Sequence, residues 1–300
     1  MRLCVGGFLV EMFVPSAHGI SAPAARARVP LRCTRRRILM TAADGNRGNG
    51  ENAPVSDKRS AHAATFFTPS SELDALMHGK GQVRVREHVN PFRPKYMDAL
   101  RLGVEHEADS VAPFYARPDL PFHVDVGCAK GRFCLEMAQR YPHINFLGLE
   151  IREPLVGQAN EWAAALGLTN VHFLFANALV HMDTVLAALP FARQSLETVS
   201  VLHPDPQFKK RHHKRRTVNA AFASSIAHHL RTGGRVVLQS DVLEVATEMR
   251  DIFAARPEFE LQSTEWLPNP PMGIQTERER ACLSRNEPVY RCVLYKHAEK

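Results

Sequence analysis

The sequence predicts an α/β protein: a mostly parallel, seven-stranded sheet, helices on both faces, and an antiparallel hairpin at the C-terminal end. Three observations predict it. From Phe122 onward, short apolar runs alternate with amphipathic stretches long enough for helices, the pattern of successive βαβ units. The apolar runs are near-continuous rather than alternating, as in strands covered on both faces. Polar or acidic residues recur where the runs stop: Asp125, Glu150, Asn177, Asp205 and Asp241. In open α/β sheets, ligands bind outside the carboxyl ends of the strands.

The first strand is expected over 122–126, followed by the turn Gly127-Cys128-Ala129-Lys130-Gly131 and a helix over 132–140. The second strand, 145–151, carries Glu150 near its end. A helix over 154–166 follows, with proline at its start, where no amide partner is needed. A third strand, 171–176, leads to Asn177 and a helix over 178–189. A fourth, 198–202, leads to a basic loop and a helix over 217–230. The Gly233-Gly234 turn opens the fifth, 235–239, followed by Asp241 and a helix over 242–255. Runs at 259–266 and 289–295 predict the closing hairpin, around a long polar loop.

The 300 residues are 45% hydrophobic and 23% charged, ordinary for a globular protein. The net charge of +7 favours a polyanionic partner. Cys4, Cys33, Cys128, Cys134, Cys282 and Cys292 form no Cys-x-x-Cys pair, so reduced thiols and no metal are expected. Residues 1–60 differ from the rest. Glu11 is the only acid before Asp44, against Arg2, Arg26, Arg28, Arg32, Arg35, Arg36 and Arg37. This composition predicts a transit peptide followed by a linker, and an organellar destination. The early apolar stretch is interrupted by Gly6, Gly7 and Glu11, too short to span a membrane, and no membrane association is expected. A secretory signal is the competing reading, opposed by the Arg-rich region after Ser21. Residues 61–120 are expected to form an N-terminal extension, and 121–300 the main domain. The extension contains a basic arm from Gly79 to Tyr96. It is either a strap over the surface or a second nucleic-acid contact through Arg84, Arg86 and His88.

The most informative stretch is His203-Pro204-Asp205-Pro206-Gln207-Phe208, continued by Lys209, Lys210, Arg211, His212, His213, Lys214, Arg215 and Arg216. Two prolines fix a lone acid in a rigid loop at a strand tip. The cations read as a phosphate-binding footprint, or as a solvated helix start. The helix dipole disfavours cations at an N-terminus, so the pattern predicts an external anion to balance them. The glycine turn after the first strand has only Gly127 and Gly131, not three glycines. With Glu150 placed for ribose hydroxyls and Asn177 for an adenine amino group, it predicts an adenosine site. The missing middle glycine and the lack of a hydride-transfer constellation favour S-adenosylmethionine over NAD, and Asp125 suits that cofactor's charged amino group.

Asp125-Val126-Gly127 with Gly131, Phe146-Leu147-Gly148-Leu149-Glu150, the Pro204-Asp205-Pro206 stretch with its cations, and Ile274-Gln275-Thr276-Glu277-Arg278-Glu279 together resemble tRNA (guanine-N7-)-methyltransferases. These are Rossmann-like class I S-adenosylmethionine-dependent methyltransferases. The resemblance runs from Arg84 to Tyr295, and the arm Arg84-Val85-Arg86-Glu87-His88-Val89-Asn90-Pro91 looks like the cyanobacterial and plastid form. It implies methyl transfer to N7 of a guanosine in the tRNA variable loop, at position 46. It implies cofactor contacts from Asp125, Gly127, Gly131, Glu150, Ile151, Arg152, Asn177 and Ala178, with Asp205 as the central catalytic acid. Lys209, Asp241, Thr276, Glu277 and Glu279 would bind the guanine substrate, and Arg211, Lys214, Arg215 and Arg216 the tRNA phosphates. A monomer or homodimer without an obligate protein partner is expected. Asn177 stands where many members have Asp, Gln207 replaces the usual Trp, and His203 replaces an aromatic or apolar residue. Two other functions compete: methylation of another RNA, and tRNA binding with impaired catalysis.

Overall fold

The computed structural model describes residues 71–79, 82–86, 88–98, 110–190 and 192–298; the expected leader and linker lie outside the described residues. Strands β1 (Phe122–Val126), β2 (Asn145–Glu150), β3 (Val171–Phe175), β4 (Leu196–Leu202) and β5 (Arg235–Ser240) run parallel. Strand β7 (Tyr290–Lys296) runs against both β5 and β6 (Phe259–Leu261), forming the expected antiparallel closure. The order is β3-β2-β1-β4-β5-β7-β6. Sequence order reverses between β1 and β4, so the crevice for a ligand opens between the turn after β1 and the loop after β4.

The apolar runs divide by strand alternation between two layers. Val124, Val126, Val199, Val201, Val236 and Leu238 face one side, with helices α5 (Ala178–Ala187), α7 (Ala220–His229) and α8 (Leu243–Ala254) over them. Phe146, Phe173, Val237 and Val293 face the other, under α3 (Arg132–Arg140) and α4 (Glu153–Ala165), with Leu73 and Met77 of α1 (Ser71–His78) joining that core. Two short helices, α2 (Pro94–Met97) and α6 (Ala192–Ser195), close the arm and lead into β4. Phe122, Phe146, Phe173 and Phe253 are wholly buried, each stabilising the fold by about 1.5–3 kcal/mol. No helix among the described residues is long and apolar enough to cross a membrane.

The structure departs from expectation where local polarity hides an element. Helix α7 starts at Ala220, because Asn219 accepts from the Phe222 amide at 3.0 Å and caps it. The preceding cations, Lys210–Arg215, form a separate 3-10 turn. Helix α9 (Glu277–Ser284) replaces the expected polar loop. Its surface is charged, and the signal that marks it is a capping box, Thr276 with Glu279 three residues on.

Candidate functional site

At the end of β1 the chain folds back over β2. The amides of Gly127 and Cys128 both donate to the Leu149 carbonyl, at 2.8 and 3.0 Å. Gly127 has a φ of 79°, and a Cβ there would meet nothing within 4 Å, so the backbone is open to an approaching ligand. Gly131, at φ 77°, has a different role: a Cβ there would lie 2.6 Å from the Phe173 ring and 3.0 Å from Ala159. It allows α3 to pack on β3 and α4, and so supports the pocket from behind.

Asp125 is buried. Its Oδ1 accepts from Ser200 Oγ at 2.6 Å and its Oδ2 from the Cys134 thiol at 3.6 Å. Burial pushes its carboxyl up to about 6, against the pull of those two donors. Glu150, at the neighbouring tip, is also buried and accepts from the Ala129 amide at 2.9 Å. Arg152 lies on it two-pronged, Nε to Oε1 at 2.8 Å and Nη2 to Oε2 at 2.9 Å. Ribose hydroxyls, expected there from the sequence, would have to compete with the guanidinium for those oxygens. Asn177 caps α5 by accepting from the Leu179 amide at 3.2 Å and donates its Nδ2 to the Pro91 carbonyl at 3.0 Å. Its amide oxygen, expected for adenine, is thus already serving its own helix. Ile151 and Ala178 flank these tips, half-buried. The three tips stand side by side, as read from the sequence. A buried carboxylate, a second acid and an open glycine backbone fit a cofactor with an ammonium, a ribose and a methionine chain.

Across the crevice, Asp205 is held by its loop. Oδ1 accepts from the Gln207 amide at 3.1 Å, and Oδ2 lies 2.8 Å from His88 Nδ1. The loop needs left-handed backbone at His203 and Gln207, φ 54° and 47°. His203 ties this loop to β5 and α9. Its Nδ1 donates to Asp241 at 3.0 Å, and its Nε2 accepts from Gln239 Nε2 at 2.8 Å. Gln239 also donates to Glu279 Oε2 at 3.0 Å, and Arg291 closes the chain on Glu279 Oε1 at 2.5 Å. The His203 hydrogen bond, with help from Arg278, holds the Asp241 carboxyl well below the usual carboxylate range.

This network changes the reading of the C-terminal motif. Glu279 is fully buried in its pair with Arg291, and its second oxygen faces Gln239 and the Thr276 amide. Thr276 Oγ1 accepts from the Glu279 amide at 3.1 Å. These two expected guanine contacts therefore hold α9 and its link to Asp241 in place; Glu277 is exposed. A second correction concerns Arg216. It is 7% exposed, with Nε on the Pro206 carbonyl at 3.0 Å, Nη2 on Glu244 at 2.8 Å and Nη1 on Glu248. It locks the Asp205 loop to α8 and is spent on internal acids, so it is not a phosphate contact. The cations that face solvent are Lys209, Lys210, Arg211 and Lys214, with Arg215 half-buried. Their field is felt at His212, held below its ordinary range by burial first and then by Arg215, Arg211 and Lys209.

Two features were not read from the sequence. The arm does not lie on remote surface: His88 reaches Asp205, Pro91 reaches Asn177, and the Met97 carbonyl lies 2.8 Å from His181 Nε2. It spans the tips of β3 and β4. Phe208, beside the acid and the cations, is 73% exposed.

A family model described as "Putative methyltransferase" matches residues 119–292. The tRNA (guanine-N(7)-)-methyltransferase of Trichormus variabilis is 48% identical over 212 residues, covering 70% of this chain and 95% of that one. That of Synechocystis sp. is 46% identical over 214 residues, 71% and 97% of the two chains. That of Thermosynechococcus vestitus is 46% identical over 209 residues, 70% and 93%. With identity at this level across nearly the whole of each relative, the chain belongs to the tRNA (guanine-N(7)-)-methyltransferase family.

Proposed function

We propose that the chain methylates N7 of guanosine 46 in the variable loop of tRNA, using S-adenosylmethionine, inside the plastid. The observation that carries the reading is Asp205, fixed at the β4 tip between the Asp125–Glu150 pocket and the exposed cations. When bound, S-adenosylmethionine supplies a methyl group already activated for transfer. Asp125 would hold its ammonium, Glu150 its ribose, and Gly127 would let its chain pass close to the backbone.

Guanine N7 carries an in-plane lone pair, so no base is needed to expose it. The protein's contribution is position and charge. The ring gains positive charge as it is methylated, and the Asp205 carboxylate favours that change while accepting from the N1 and N2 donors. His88 must share or yield Oδ2 as the guanine arrives. The base has to leave its stack to reach this depth. Phe208 offers an exposed face on which a neighbouring base can stack, a contact worth about 1–3 kcal/mol. Lys209, Lys210, Arg211, Lys214 and Arg215 hold phosphates, which give affinity without sequence information. The retained acids speak against an inactive tRNA binder, although Gln207 replaces the family's Trp. The plastid assignment is supported by the Arg-rich leader and by the cyanobacterial relatives.

The test is single-turnover methylation of tRNA transcripts carrying guanosine or adenosine at position 46. Asp205→Ala should abolish transfer while tRNA still binds, and the adenosine transcript should gain no methyl group. Equal methylation of both transcripts would point to another site or another RNA. A reporter fused to residues 1–60 should enter plastids; retention in the cytosol would sink the localisation.

A further inference from the structure

A cavity of about 310 Å3 opens at the far end of the sheet from Asp205, where the strands begin. His123, Met137, Tyr141, Ile144, Arg235 and Met272 are among its lining residues. The volume is at the lower bound for small-molecule sites, the size for one ring and a short tail. None of these side chains serves the methyl-transfer site directly.

The wall also holds Glu197, which is paired with Arg231 at 3.1 Å; Arg235 and His123 are the two groups there that can receive a ligand carboxylate and a ligand donor. Arg235 is anchored by its Nε on Thr198 Oγ1 at 3.2 Å, and its two Nη groups have no partner among the described residues. Such a guanidinium presents a fixed fork suited to a carboxylate. His123 is 3% exposed, and its Nε2 lies 2.8 Å from Ser200 Oγ. Ser200 has one proton, which goes to Asp125 Oδ1 at 2.6 Å. The Ser200 oxygen must therefore accept, and His123 Nε2 must carry the ring proton. Burial first, and the Arg235 cation second, push the imidazole down to about 3, so the ring is neutral. Nδ1 is then a bare acceptor, and it has no partner among the described residues. In the cavity wall that acceptor is available to a ligand donor.

We infer that this cavity binds a small organic carboxylate with an apolar ring that carries its own O–H or N–H donor. The carboxylate meets the Arg235 fork, the donor meets His123 Nδ1, and Met137, Tyr141, Ile144 and Met272 surround the ring.

The probe is 4-hydroxyphenylacetate, titrated calorimetrically into the full chain. Saturable binding with a Kd below about 1 mM is expected. 4-Hydroxyphenylacetamide, which lacks the charge, and 4-methoxyphenylacetate, which lacks the donor, should each bind at least about ten-fold more weakly. Arg235→Gln should cost a similar factor, and Met272→Trp should fill the space and remove binding. The two analogues test the wild-type protein, so the result does not depend on a variant folding. No heat at millimolar probe, or equal affinity for the acid and its amide, overturns the inference.

Discussion

Asp125 and Glu150 sit on adjacent strand tips, yet their environments are opposite. Glu150 has a guanidinium and two amides around it; Asp125 has only a hydroxyl and a thiol. With burial pushing its carboxyl up to about 6, Asp125 loses below that pH the charge on which the proposed ammonium contact depends. Affinity for S-adenosylmethionine should fall as pH drops through 6, with only about one-tenth of the carboxylate charged at pH 5. Asp125→Asn should be weak and nearly flat with pH. Calorimetry across this range decides it: a level wild-type profile means that Asp125 does not meet the ammonium. At the neighbouring tip, Glu150→Ala removes a charged acceptor and should weaken cofactor binding by about 1.5–3 kcal/mol. Undiminished binding in that variant would show that the ribose lies elsewhere.

At the scale of elements, the basic stretch divides into two working parts. The 3-10 turn faces solvent, and Arg216 behind it is turned inward onto α8. Arg216→Ala should destabilise the protein by about 1–3 kcal/mol and slow methyl transfer, because the Pro206 carbonyl loses its donor. It should leave the salt dependence of tRNA binding unchanged. Replacing Lys210, Arg211 and Lys214 by Ala should do the reverse, with near-normal stability and a salt slope shallower by about one unit per lost phosphate contact. A shallower slope in the Arg216 variant would contradict its burial. This division was not legible in the sequence, where Arg216 is one cation in a run. Its partners Glu244 and Glu248 lie 28 and 32 residues away on another element. The arm poses the same difficulty: His88 and Asp205 are 117 residues apart. No local pattern reports such a pairing. Helix α9 was legible in principle, through Thr276 and Glu279, but its charged surface has no apolar stripe to draw attention to it.

At the scale of the molecule, β1, β2, β4 and β5 were readable because each is an apolar run buried on both faces; β6, expected over 259–266, is only Phe259–Leu261, with Glu260 exposed. The three tip residues followed from their spacing alone. Spacing could not give the polar chain through the interior, from Asp241 through His203, Gln239 and Glu279 to Arg291. Glu279→Ala would leave the Arg291 guanidinium buried without its charge partner, a loss of about 3–5 kcal/mol. Urea unfolding should show it as a lower midpoint with an unchanged slope. Replacing both residues by Leu should recover much of the loss. If the single variant unfolds like wild type, the Glu279–Arg291 pair is dispensable to the fold.

Strand β7 is the last of the seven in the chain, yet it lies between β5 and β6. A nascent polypeptide made only as far as residue 285 has β5 with a bare edge and Glu279 with no Arg291. The sheet and the acid network therefore become complete in the same event, when residues 290–296 leave the ribosome and insert. Until then β5 presents a row of unpaired backbone groups along its outer edge, open to pairing with another chain.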